Sequence, residues 1–249
     1  MPEGKQVSEQ GEPSGGGHGT TDIDELAQQF SEVARSLQAH SSPDEVLAEV
    51  VASAIQLIPG VDEASISVVI GRRNAASQHP SGELPQLVDA VQTETGEGPC
   101  LEALYEQQTV KVPDMASEQR WPQFARRAAD LGAGSMLSFQ LYVKGDNLGA
   151  LNLYGRHSNA FDDESEQIGL LFASHAAVAF ADAKKIDHLQ RAVDTRDLIG
   201  QAKGILMERY KITAPQAFQA LTRVSQRRNT KIRLIAEELT ATRNLTGLQ

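Results

Sequence analysis

Residues 135–154 read SMLSFQLYVKGDNLGALNLY. Two apolar-rich runs, Ser135 to Val143 and Leu148 to Tyr154, flank Lys144-Gly145-Asp146-Asn147. Runs of strand length joined by a short Gly/Asp/Asn turn predict an antiparallel hairpin. Upstream, Ala64 to Ile70 (ASISVVI) and the short Val110 to Val112 carry further strand signals. Helical stretches near Leu84–Gln92, Leu101–Tyr105 and Phe124–Leu131 fall between them. Before the first strand, Ile23, Leu26, Phe30, Val33 and Leu37 recur at helical spacing over about Asp22 to Gln38. A second helix opens at Ser42-Pro43-Asp44-Glu45, with Ser42 as cap, Pro43 at the first helical position and Glu45 completing the capping box. Val46, Leu47, Val50, Val51, Ala54 and Leu57 form its face, and Pro59-Gly60 ends it. Helices followed by a mostly antiparallel sheet with interleaved short helices predict an α+β domain.

Downstream of Asp162 the chain reads as one long helix. Ile168, Leu171, Phe172, Ala179, Ala183, Ile186, Leu189 and Val193 recur at steps of three and four, and neither Gly nor Pro interrupts residues 170–199. Such a seam suits a homodimeric coiled coil. Alternatively its first half covers the sheet, and the two readings are compatible at different ends. The helix continues to about Tyr210. Thr213-Ala214-Pro215-Gln216 then starts another, with Thr213 as cap and Gln216 as its reciprocal partner. Its apolar residues are Ala217, Phe218, Leu221 and Val224, and after a break at Asn229-Thr230 come Ile232, Ile235, Ala236 and Leu239. The expected end is a small all-α three-helix bundle.

Charge separates the two parts. The chain of 249 residues has a formal net charge of -10. From Arg191 to Gln249, however, there are 11 Lys/Arg against 5 Asp/Glu, a net of +6, and the preceding 190 residues carry -16. Such asymmetry predicts two domains with different partners. Residues 1–20, rich in Gly, Ser, Glu and Gln, read as a disordered tail, residues 21–182 as the acidic domain and residues 183–249 as helical linker and basic bundle. One cysteine, Cys100, excludes an internal disulfide and fits a reducing compartment. No secretory signal and no membrane-length apolar stretch is seen, so the expected location is cytoplasmic, away from any membrane.

The candidate sites are few. Six histidines are dispersed without ligand spacing, and no metal site, phosphate loop, His-Glu-x-x-His pair or Gly-x-Ser-x-Gly elbow occurs. His175, near the seam, is expected to be a packing residue. Gly98 and Cys100 lie in the loop Gly96-Glu97-Gly98-Pro99-Cys100-Leu101, where a helix start can hold an anion or lower a thiol pKa. The plainer and favoured reading is a turn, a helix start and a small buried thiol. Arg120 and Trp121 are placed to line a small-ligand pocket, although a lone Trp more often anchors a loop. Gly204, inside a helix, implies a close helix contact or a ligand needing backbone access. Among the C-terminal cations Lys203, Arg209, Lys211, Arg223, Arg227, Arg228, Lys231 and Arg233, acidic partners are scarce, which favours a polyanion-binding surface.

The run Ala202-Lys203-Gly204-Ile205-Leu206-Met207-Glu208-Arg209, then Ala217-Phe218, Leu221, Ser225-Gln226, Asn229, Lys231-Ile232-Arg233 and Ile235-Ala236, resembles an ANTAR domain over about residues 190–245. Lys211 departs from it, at a turn where the family often has Gly. Gly96-Glu97-Gly98-Pro99-Cys100-Leu101-Glu102-Ala103-Leu104, Arg120-Trp121-Pro122 and Gly149-Ala150-Leu151-Asn152-Leu153-Tyr154 resemble a GAF domain, of the kind fused to ANTAR in actinobacterial regulators, over about residues 25–182. The first resemblance implies a three-helix module of a bacterial transcription antiterminator that recognises RNA hairpin loops, typically as a dimer. The second implies an antiparallel sheet with flanking helices whose ligand varies between members, so the cofactor is unknown.

On this reading a sensor controls an RNA binder by changing dimer geometry, and no residue is catalytic. Lys203, Arg209, Lys231 and Arg233 are expected to contact RNA, with Ser225, Gln226 and Asn229 as polar readers. Ala202 and Gly204 are expected to permit close approach of the backbone or a neighbouring helix. Tyr210 and Phe218 are the only aromatics of the bundle region, and Phe218 is expected in its core. Arginine stacking and hydrogen bonding are therefore expected instead of a broad aromatic platform. The alternatives are a DNA-binding regulator built on a helix-turn-helix, a thiol-dependent sulfoxide reductase, against which the single cysteine argues, and a purely structural dimerisation protein.

Overall fold

The computed structural model describes residues 18–70, 74–105 and 109–244. The expected tail lies outside the described residues up to residue 17. Its last three residues belong to α1 (His18–Ala39), which starts ahead of the expected Asp22. A nucleated helix extends residue by residue at small cost, so its sequence boundary is soft. Helix α2 (Pro43–Leu57) starts at the expected proline and buries Val46, Leu47, Val50, Val51, Ala54 and Leu57. Ser36 Oγ of α1 donates to Glu49 Oε1 of α2 at 2.6 Å.

Five strands follow: β1 (Glu63–Ile70), β2 (Asn74–Gln78), β3 (Thr109–Val112), β4 (Ser135–Val143) and β5 (Asp146–Gly155). They form one antiparallel sheet in the order β2-β1-β5-β4-β3. The β4–β5 hairpin closes more tightly than the four-residue turn expected. Val143 pairs with Asp146, which leaves Lys144 and Gly145 as the loop, with Gly145 at φ 89°. Strand β2 has no counterpart in the sequence reading. Its sequence NAASQ has no β-branched or aromatic residue, and it is a strand through its pairing with β1, from Ile66↔Gln78 to Ile70↔Asn74.

Register sorts the side chains. Ser65, Ser67 and Val69 of β1, Ala150, Asn152 and Tyr154 of β5, and Met136, Ser138 and Gln140 of β4 share one face. That face meets α3 (Glu83–Thr95), α4 (Pro99–Tyr105) and α5 (Pro122–Asp130) in a core that includes Val88, Cys100, Leu104, Phe124, Met136 and Tyr154. Ile66, Leu151, Leu153, Leu137 and Phe139 occupy the opposite face and are fully buried. Phe139 lies against Gly169 of α6 (Asp163–Tyr210), where an added Cβ would come within 2.4 Å of the ring. Both faces are therefore covered.

Two compact units divide within α6, between Ala179 and Phe180. In the first, α6 buries Ile168, Phe172, Ala173, Ala176 and Ala177. The second contains the rest of α6, α7 (Ala214–Arg228) and α8 (Ile232–Thr242). Its core is Ala202 and Leu206 of α6, Ala217, Ala220, Leu221 and Val224 of α7, and Ile235, Ala236 and Leu239 of α8. Helix α7 starts as its sequence implies: Thr213 N–H donates to Gln216 Oε1 at 2.9 Å, one arm of the capping box. The apolar seam of α6 does not stay buried. Ile186, Leu189 and Val193 are 52%, 59% and 52% exposed.

Candidate nucleic-acid interface and sensor core

In the bundle unit the cations expected to meet RNA lie at the surface. Arg209, Lys231 and Arg233 are exposed and Lys203 is half-buried. Lys231 and Arg233 line a cavity of about 650 Å³ with Arg191, Asp194, Thr195 and Leu198. The sequence reading did not single out Arg191 for this group, because it lies forty residues away along the chain. Arg233 is lightly engaged, with Nη1 3.5 Å from Glu237 Oε2. Arg209 donates from Nη2 to the carbonyl of Arg243.

The expected readers differ in what holds them. Ser225 Oγ donates to the Thr230 carbonyl at 2.6 Å, so its hydroxyl helps close the α7 terminus. Asn229 is the C-cap of α7 at φ 47°, a left-handed position that Asn tolerates better than most residues. Gln226 is exposed. Ala202 is fully buried in the bundle core, and Gly204 is exposed. Among the described residues an added Cβ on Gly204 would meet nothing within 4 Å, so no close helix contact among them explains that glycine. Gly204 lines a second cavity of about 750 Å³ with Gln201, Ile205, Glu208, Arg209, Thr240 and Arg243.

One feature of this unit corrects the sequence reading, and another fits it. Phe218 is 45% exposed instead of lying in the core. At 100° per residue it sits well away from the Ala217–Leu221 face, and alanines at 217 and 220 fill the space beneath α7. Lys211 stands at φ 51° just after α6, the left-handed helix-end position that glycine fills without strain.

The interior of the larger unit holds a polar network that sequence reasoning missed. Asp89 of α3 is only 4% exposed. Its Oδ2 accepts from Ser65 Oγ at 2.7 Å and Ser77 Oγ at 2.6 Å, and its Oδ1 accepts from Tyr154 OH at 2.5 Å and Gln92 Nε2 at 3.3 Å. Burial pushes its carboxyl above the usual carboxylate range, against the pull of those four donors. The network extends along the same face of the sheet. Ser138 Oγ donates to Asn152 Oδ1 at 3.0 Å, and Asn152 Nδ2 donates to Ser67 Oγ at 3.1 Å. Gln92 carries it to α4, accepting the Cys100 N–H at 2.9 Å. Gly98 stands at φ 134°, where an added Cβ would come within 2.5 Å of Gln92 Oε1.

Cys100 is 2% exposed, and burial, aided by the charge of Asp89, pushes its thiol up to about 12. The favoured reading of a small buried thiol agrees with this burial, and the activated-thiol alternative is set aside because desolvation outweighs any help from the helix terminus. Trp121 packs edge-on to Phe124 at 6.5 Å within the core, as an anchor does. Arg120 covers the indole at 4.3 Å, donates to the Lys111 carbonyl at 2.7 Å and pairs with Glu118 at 2.7 Å. The pairing holds the Glu118 carboxyl below its ordinary range. Arg120 thereby ties the end of β3 to the loop before α5. His175 is exposed on α6, its Nδ1 2.9 Å from the Leu171 carbonyl and its ring 6.1 Å from Phe30. Among the described residues no group of three or more His, Cys, Asp or Glu could hold a metal ion, and no helix is long and apolar enough to cross a membrane.

Comparison with known proteins follows this division. The GAF domain family matches residues 40–181, and the ANTAR domain family matches residues 187–239. Among curated proteins nothing matches the chain. The chain is similar to the solved GAF domain of an Acinetobacter phosphoenolpyruvate-protein phosphotransferase, at 13% identity and a TM-score of 0.52, covering 66% of this chain and 98% of that one. It is also similar to the free methionine-R-sulfoxide reductase of Neisseria meningitidis, solved with its substrate, at 17% identity and a TM-score of 0.51, covering 66% and 93%. At such identities the likeness speaks for the fold alone. The chain belongs to the GAF domain family and carries an ANTAR domain behind it, the make-up of a regulator of the RNA-binding antitermination type.

Proposed function

We propose that this chain is a signal-responsive antitermination regulator that acts in the cytoplasm, its residues 183–249 binding hairpin loops of nascent transcripts and its residues 21–182 serving as the sensor. The observation that supports this most directly is the charge of the bundle. Between Arg209 and Arg233 not one Asp or Glu occurs, while Lys211, Arg223, Arg227, Arg228 and Lys231 do. Lys211 pairs with Glu208 and Arg228 with Glu238 across the fold, yet the segment from Arg191 to Gln249 keeps its net +6, and such an excess favours a polyanion. Lys203, Arg209, Lys231 and Arg233 supply phosphate contacts in this reading. Gln226 and the terminus of α7 at Asn229 face the loop bases, and Gly204 leaves room for close approach.

The protein acts as a homodimer in this proposal, with the exposed Ile186, Leu189 and Val193 of α6 forming the seam. The sensor takes an unknown small ligand or partner, and Gly98, Cys100, Arg120 and Trp121 mark the region where it acts. The buried, weakly acidic Cys100 thiol and its standing as the only cysteine speak for a regulatory domain over thiol chemistry. The test is to compare RNA stem–loops with duplex DNA of equal charge at one fixed salt concentration. Preference for the stem–loops supports the reading, and equal or tighter binding of duplex DNA turns it to a DNA-binding regulator.

A further inference from the structure

Helix α7 buries Ala217, Ala220, Leu221 and Val224 on one side. At 100° per residue, Ser225, Phe218, Thr222 and Gln226 fall in that angular order within an arc of about 100° on the outer side, Arg223 and Arg227 occupy the sector beyond Gln226, and Asn229 caps the helix end. The outer surface of one helix thus runs from an aromatic ring through amide and hydroxyl groups to arginines. None of its residues is acidic. Phe218 is 45% exposed, although burying it would stabilise the bundle and two alanines hold the core positions beside it.

We infer that Phe218 is a base-stacking contact: its ring receives an unpaired base of the RNA loop, beside Thr222, Gln226 and Asn229, while Arg223 and Arg227 lie toward the phosphates. The inference rests on the RNA-binding reading above and names the group through which a loop, as opposed to a paired stem, is held. Three properties point to a base. A flat apolar ring on an acid-free basic helix complements a ligand that is both anionic and aromatic, and an unpaired nucleotide has both characters. Every base offers a π face, so one aromatic serves loops of varied sequence. A paired stem keeps its bases stacked on one another, so the contact discriminates loop from stem.

The experiment uses the full chain and a pool of synthetic RNA stem–loops with randomised loops. The tightest binder is then remade with 2-aminopurine in place of one loop adenine at a time. Phe218→Leu keeps an apolar side chain and removes the ring face, and Phe218→Tyr restores it. Loss of one stacked base weakens binding roughly 5- to 150-fold. The expected result is a loss in that range for Phe218→Leu, with disappearance of the 2-aminopurine quenching seen at one loop position. Its salt slope stays that of the wild type, and Phe218→Tyr recovers both affinity and quenching. Wild-type binding with Phe218→Leu equally tight overturns this inference and leaves the RNA reading standing. A Phe218→Leu chain that loses RNA only because it sediments in a different oligomeric state also overturns it, making the ring a subunit contact. A wild-type chain that binds no stem–loop in the pool overturns the RNA reading and this inference together.

Discussion

Asp89 offers the sharpest test of how the sensor core is built. Replacing it with alanine removes the acceptor shared by Ser65, Ser77, Tyr154 and Gln92. A buried donor left without a partner costs about 1–3 kcal/mol. Not all four are stranded, because Ser77 is exposed and can turn to water, and Ser65 Oγ and Tyr154 OH lie 3.4 Å apart and can pair. Relief of a buried charge offsets part of the rest, so a net loss of about 3 kcal/mol is expected. For a unit of this size that lowers the melting temperature by roughly 6–12 °C. Trp121, the only tryptophan, lies in the same core and reports the transition by its fluorescence.

Asp89→Asn separates the charge from the hydrogen bonds. Burial raises the folded-state pKa of Asp89 above its ordinary value of 3.8. Below that ordinary value both states hold the proton, and the carboxyl's contribution is complete. As pH rises through the folded-state pKa the unfolded chain has already released its proton, so that contribution is lost. Asparagine carries no such proton. The stability of Asp89→Asn relative to wild type should therefore grow as pH rises from about 4 toward neutrality. An Asp89→Ala chain that melts with the wild type, or an Asp89→Asn chain whose pH dependence matches it, would refute this account of the network.

Two further expectations concern α6. Lys211→Gly relieves the left-handed backbone at φ 51° and gives up only an exposed pair with Glu208, so the bundle should gain about 0.5–1 kcal/mol in thermal or urea unfolding; destabilisation would show that the lysine side chain matters more than its backbone. Ile186→Asp with Leu189→Asp should turn a wild-type dimer into a folded monomer in sedimentation at micromolar concentration. Covering the exposed halves of Ile186, Leu189 and Val193 on two copies supplies about 5–9 kcal/mol before association costs. A wild-type chain that sediments as a monomer sinks the dimer.

What the sequence made legible, and what it hid, follows from how local each cause is. The β4–β5 hairpin and the Thr213–Gln216 helix start were readable because their signals lie within a few residues of one another. Strand β2 was not, because NAASQ becomes a strand only through β1. Alternation in ASISVVI and GALNLY resembles a half-solvated sheet, yet Ser65, Ser67 and Asn152 are buried beneath α3 and α4. Their partner Asp89 reads as an ordinary charged helix residue until the fold brings four donors to it. Phe218 shows the converse error. An apolar residue in an amphipathic helix was assigned to the core, but the small residues Ala217 and Ala220 define that side and turn the ring outward. In the candidate interface, the cations were legible from charge alone, while the roles of Ser225 and Asn229 in closing α7 emerged only with its backbone.

The measurement that bears most directly on the central claim is the affinity of the full chain for an RNA stem–loop, set against the same stem closed as a continuous duplex, across a salt series. The account predicts tighter binding of the loop at every salt concentration. It also predicts a log–log slope of about 0.7 per phosphate contact on the single-stranded part, which falls by about one contact when Lys231 or Arg233 becomes alanine. Equal affinity for loop and duplex, with a slope that neither substitution changes, would contradict it.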